Sequence, residues 1–583
     1  MNKKKGLVIG LVAMFLLVFV PISSSVPTMP VSPTHNATLA QTVLAINSDF
    51  TLTQDLWDTS IIVMSDKVVI DGNGYTLHGP GSGVGVLAEN RVKVTVENLK
   101  VEGWHVGILF IGCSKSKAID NTVSDCIYGI ALVGSDKSDV KRNTVQDCDW
   151  IGFYLGDSSD NQITDNIALR NTEMGFGIEG ICFKNRYVGN IATESSHGIW
   201  MGPGAHENIF TLNEISYCVD GIHLSGSISN KLIGNTITIC GNGILTMGAS
   251  ENWLEGNIIS WPLEETEYPL GDDYIYSNFG IYIFEGGYNT LFQNDVFNLP
   301  SGMWLGWSEH NVVTENTATN CLQDGFRILD SNFNTLEHNT ATYTKDLSEF
   351  YTSGFNIIGL LPEQGIQASG NNLLLENTAT NMVYGFLLGL ATYSTDFVRN
   401  IVTNNMMGFG TDEGFDNHFV ENEVNHNSFG GFYVTTDDCT FIGNILTDNG
   451  WFNNGYGFAL INAHGNDFAH NIVMGSYMPF MFQGDSSDNY AYENYIENDE
   501  ICFVFLGTVN NNYLYHNNFI VDTIMFAIQS PDIMNQNYMY NPLLNEGNYW
   551  LRYDGADDDS DGIGDTPYYF DLYPVMTMNG WLL

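Results

Sequence analysis

The sequence predicts an all-β fold, a right-handed single-stranded parallel β-helix of about 18 coils. The first observation behind this is an asparagine at near-constant spacing. Asn121, Asn143, Asn166, Asn190, Asn213 and Asn235 stand 22, 23, 24, 23 and 22 residues apart, in a series running from Asn98 to Asn517. A period that steady is an internal repeat. The second is the content of each repeat. In NTVSDCIYGIALVGSDKSDVKRN (121–143), short alternating apolar stretches are split by Gly-, Asn- and Asp-bearing corners, with no helical period. The third is the setting of the asparagine, in line to form an inward ladder that satisfies buried corner amides. Short strands at this period build coils that stack at ~4.8 Å, and parallel crossovers favour the right hand.

The elements follow in chain order. Residues 1–25 read as a signal peptide: Lys3–Lys5 form a basic start, Leu7–Val20 an apolar run of 14 residues, and Ser23–Ser25 a small-residue cleavage site. That run is shorter than the ~20 residues of a spanning helix, so the mature chain is expected to be exported without a membrane span. Residues 26–45, with Pro27, Pro30 and Pro33, form a flexible lead-in. Residues 46–97 form the N-terminal cap and first coils, residues 98–520 the repeats, and 521–583 a C-terminal cap, because a solenoid must cover its ends.

Sixty-seven acidic residues against 20 Lys and Arg give a net charge of −47. Such a surface repels phosphate backbones and anionic lipid, which argues against nucleic-acid and membrane-surface roles, and against polyanionic sugars unless a cation bridges the charges. Secreted or cell-surface conditions suit it.

The opening VVIDGNGYTLHG, the coil pattern and the closing GNYW…DGIGDTPY resemble the NosD-type family of right-handed β-helices. That family is related to carbohydrate-binding and sugar-hydrolase repeats, and the resemblance spans roughly residues 50–575. It implies an exported, archaeal-like protein. Copper handling and activity on polysaccharides both enter as expectations from it.

Cys126, Cys148, Cys218, Cys240 and Cys321 each follow their repeat Asn by five residues, which is read as a small buried residue in a repeated corner, with a soft-metal column or disulfides as the alternatives. Asp557, Asp559 and Asp561 occupy positions 1, 3 and 5 of a D-x-D-x-D-G loop, with the Ile563 carbonyl at 7 and Asp565 at 9. This predicts structural Ca2+ clamping the C-terminal cap, although position 12 is Tyr568 and no helices flank it. His197 and His206 flank a Trp200-bearing coil without a nearby acid pair, and no catalytic set stands out. Long intervals after Asn257, Asn339 and Asn444 mark insertions on one side of the solenoid. Their aromatics, Trp261, Tyr268, Tyr274, Tyr276, Tyr343, Phe350, Tyr351, Trp451 and Phe452, are expected to stack on the sugars of a polysaccharide or cell-envelope glycan. Non-catalytic glycan binding is therefore the expected function. A lyase, epimerase or hydrolase and a copper-handling protein are the alternatives.

Overall fold

Each coil lays down three strands, and the stacked coils form three parallel sheets, here A, B and C. In one coil these are Val106–Ile111, Lys117–Ile119 and Thr122–Ser124. The next contributes Tyr128–Val133, Asp139–Lys141 and Thr144–Gln146. Register passes unbroken between them, Ile108 to Ile130 in A, Ala118 to Val140 in B and Val123 to Val145 in C. The computed structural model describes residues 42–262, 278–344, 352–359, 368–450, 455–498, 501–521, 525–528, 531–534 and 536–580. Among these, sheet A has 21 strands, and the one helix is Pro531–Met534. The chain divides into two units, Met1–Thr42 and Val43–Leu583, the second holding the coils.

The strands of B and C are short, and only their central residue points inward, as for Val123 between Thr122 and Ser124. Isoleucine, valine and alanine fill much of the N-terminal interior. Towards the C-terminus two phenylalanine columns take over. Phe386, Phe409, Phe432 and Phe458 stack at 4.8, 4.6 and 5.0 Å from sheet A. Phe397, Phe419, Phe441 and Phe468 stack at 4.9, 4.7 and 4.5 Å from sheet B. The columns meet edge to face, Phe419 on Phe432 at 5.6 Å, a favoured aromatic geometry.

The asparagine ladder lies at the corner between B and C. Each Asn side-chain oxygen accepts the backbone and amide N–H of its predecessor, as Asn143 does from Asn121 at 3.0 and 2.9 Å. The ladder differs from the sequence reading at both ends. Asn98 is exposed at φ 51°, the left-handed residue that precedes the ladder slot, and Leu99 fills the slot itself. At the far end Asn517 bonds Asn548, and Asn548 donates to the buried Asp571 carboxylate. A second ladder, at the corner between A and B, includes Asn161, Asn185, Asn208 and Asn230, each five residues before the first.

The insertions depart where the coil is still interior. Trp261 (3% exposed) and Tyr343 (1%) directly follow the sheet C strands Ile258–Ser260 and Thr340–Thr342. Their amides still bond the next coil, at Phe297 and Thr380. Both rings belong to the core and not to a binding face. A further insertion, residues 360–367, falls in chain order between the sheet A strand Ser353–Ile358 and the short strand Ser369–Gly370, so insertions both precede and follow sheet A strands along the chain. The eight described cysteines are buried free thiols, and burial pushes Cys126, Cys182 and Cys321 up to about 12.

Candidate metal centre

Sheet A turns a second set of side chains to its outer face. Along His197–Met201, Ile199 and Met201 enter the core. The glycine after His197 has no room for a side chain: a Cβ on Gly198 would sit 2.4 Å from Ile215. This inward glycine leaves His197 and Trp200 on the outer face. One coil on, the strand Asp220–Ser225 places Asp220 in register with His197 and His223 with Trp200.

His197, Asp220 and His223 each offer a ligand atom within 4.8 Å of the others. The Nδ1 atoms of His197 and His223 lie 3.0 and 3.3 Å from Asp220 Oδ2. Neither contact is aligned as a hydrogen bond, so both Nδ1 atoms and His223 Nε2 are buried without a hydrogen-bond partner. Asn242, on the following coil, donates to the other Asp220 oxygen at 2.7 Å. Burial alone would raise the Asp220 pKa. The two imidazoles outweigh it and hold this carboxyl well below the usual carboxylate range. One coil before His197, in register, lies buried Met174. Its sulfur reaches over Gly177, where an added Cβ would lie 3.1 Å away.

A second polar cluster shares this face. The Arg327 guanidinium lies 4.3 Å over the Trp304 ring and 3.4 Å from Asp324, and Asn356 donates to both Asp324 oxygens. Burial raises the Asp324 pKa although Arg327 and Asn356 oppose it.

The residues singled out from sequence fare unevenly. Trp261 and Tyr343 are core residues, while Tyr268, Tyr274, Tyr276, Phe350, Tyr351, Trp451 and Phe452 lie outside the described residues. In the C-terminal loop the Asp557, Asp559 and Asp565 carboxylates converge within 4.8 Å. Asp561 does not join them; its carboxylate accepts the Ile563 amide at 2.8 Å. Ile563 bridges antiparallel to Val575. His206 is a corner residue stacked on Phe183 at 5.3 Å. In the sequence alone His197 stands apart from its acid partner, because Asp220 lies 23 residues away. The signal was present, since His197 and Asp220 each immediately precede the recurrent glycine, at Gly198 and Gly221.

Residues 65–261 and 363–555 match the family described as periplasmic copper-binding protein (NosD), and 197–359 match the right-handed β-helix region. His197, Asp220 and His223 lie within the first NosD match. No curated protein matches the chain. Among solved structures, a mutant of the periplasmic alginate epimerase AlgG is 14% identical over 51% of this chain and 76% of its own, with a TM-score of 0.38. A mutant DFA-IIIase from Arthrobacter chlorophenolicus A6, in complex with DFA-III, is 12% identical over 57% and 83%, with a TM-score of 0.32. With the NosD pattern matched over most of its coils, the chain belongs to the NosD family of right-handed parallel β-helices.

Proposed function

We propose that this chain is an exported metal-binding β-helix whose cation site is His197, Asp220 and His223. The supporting observation is the convergence of two imidazoles and a carboxylate within 4.8 Å, with buried ring nitrogens that lack aligned hydrogen bonds. Two nitrogens and one oxygen, with a thioether one coil away, suit copper- or zinc-class cations better than calcium or magnesium. Copper, the cation in the family description, is the first to test. Asn242 orients the Asp220 carboxylate through its 2.7 Å hydrogen bond, the supporting role expected behind a ligand. A bound cation would supply the positive charge that this cluster of acceptors is arranged to receive.

Chelator-treated protein is to be titrated with Cu(II) and Zn(II) by calorimetry, with metal analysis after desalting. The wild type should retain one equivalent. His197→Ala, His223→Ala and Asp220→Asn should each bind at least ~10-fold more weakly. Equal affinity and stoichiometry in all four proteins would falsify the site. The converging Asp557, Asp559 and Asp565 are read as a separate structural calcium site, since hard oxygen donors suit that ion. Calcium titration of the wild type against Asp559→Ala tests it, and absence of heat in the wild type removes it.

A further inference from the structure

The basic residues of this acidic chain are not evenly spread. Lys67, Lys93, Lys115 and Lys137 occupy the same corner of four successive coils, between sheets A and B. The backbone N–H of each bonds a carbonyl of the next coil, Val92, Ser114, Asp136 and Ser159 in turn. All four sit at positive φ, from 55° to 62°, and all four are exposed. Their backbones stand in single file at the coil repeat of ~4.8 Å.

Several nearby cations have carboxylate partners, as Lys117 with Asp139, Lys141 with Asp165, Arg142 with Asp120 and Lys184 with Glu207, whereas Arg91 donates to the Val63 carbonyl. Among the described residues, no ion pair includes Lys67, Lys93, Lys115 or Lys137. Two carboxylates lie beside the ends of the file, next to Lys67 and Lys137, and each also accepts a backbone amide. Asp66 accepts the Val92 amide at 3.0 Å, and Asp136 accepts the Ser159 amide at 2.8 Å. The file ends where Asp160 takes the corner of the next coil. Four ammonium groups against two neighbouring carboxylates leave a local excess of positive charge, which a linear polyanion lying along the file would offset.

We propose that this corner binds a linear polymer of carboxylated sugars, one lysine reading each successive carboxylate. An extended uronate chain advances about one coil repeat per sugar residue, so a single row of cations can follow it. Duplex DNA presents a phosphate every ~1.7 Å of axis on two strands, a lattice that one file cannot match, and the remaining surface of a −47 protein repels it. The site is independent of the metal centre and is the local exception to the chain's acidity.

The test is fluorescence anisotropy with labelled polygalacturonate and alginate oligomers, in EDTA so that no divalent cation bridges acid to acid. Neutral dextran and single-stranded DNA serve as comparisons. The wild type should bind the uronates, with affinity falling roughly 50-fold between 50 and 200 mM salt if four charges are neutralised. The triple variant Lys93→Gln, Lys115→Gln, Lys137→Gln should lose at least ~10-fold in affinity and most of the salt dependence. Its circular dichroism and melting should match the wild type, because the lysines are exposed. Absence of wild-type binding, binding that requires added calcium, equal binding by the folded variant, or a preference for DNA would each overturn the proposal.

Discussion

At the scale of single residues, Asp571 shows how position in the fold outweighs residue type. Its carboxylate accepts four hydrogen bonds, from the Asn548 amide and side chain, the Trp550 ring and the Tyr573 amide. Burial nevertheless pushes it from 3.8 up to about 6, against those donors. A raised folded pKa means that the folded state holds the proton more tightly than the unfolded chain. This contribution to stability is therefore fully present below about pH 4 and is lost as pH rises through about 6. The shift corresponds to about 1–3 kcal/mol. Hydrogen exchange at Val575, whose amide bonds Asn548, should be better protected at pH 4.5 than at pH 7. Asp571→Asn should flatten that dependence, and an unchanged slope in the variant would assign it to other groups.

At the scale of the element, the ladder gives a contrast between two asparagines that look alike in sequence. Asn316 donates to Leu291, Thr314 and Asn339 and accepts from the Asn294 backbone and side chain. Asn316→Ala strands several buried groups and should cost about 3 kcal/mol in denaturant unfolding. Asn98→Ala removes an exposed left-handed residue and should cost less than about 1 kcal/mol. Comparable losses would mean that the interior amides are not what holds the corner. The ladder period was legible in the sequence because every coil repeats the same local demand. Its phase at Asn98 was not, since the left-handed corner residue and the ladder residue are neighbours and both favour Asn. The second ladder was equally present as an Asn five residues earlier in many coils, but one asparagine per repeat already accounted for the period. Trp261 and Tyr343 failed as binding residues for a different reason. A sequence insertion begins where the spacing lengthens, whereas the chain leaves the interior only after the last inward corner position.

At the scale of the whole molecule, a solenoid is held by nearest-neighbour coils and must close its ends. Here the C-terminal segment supplies the strand Tyr549–Trp550 against Asn518–Val521, with the Trp550 ring stacked on Phe519 at 4.3 Å. Truncation after Val521 should leave an open sheet edge and a bare apolar coil, which promote self-association. Light scattering on a sizing column should then show concentration-dependent oligomers, and a monodisperse, stable monomer would remove the capping role. The sequence by itself determined the coil and its short strands, its inward asparagine and the acidity of its surface, because these repeat within one period and depend on local pattern. Only the tertiary structure decided which side chains from different coils meet. His197 joins Asp220 and His223, and four lysines stand in file at one corner, because contact across coils depends on register and on the face that each corner presents, and neither is encoded within a single repeat.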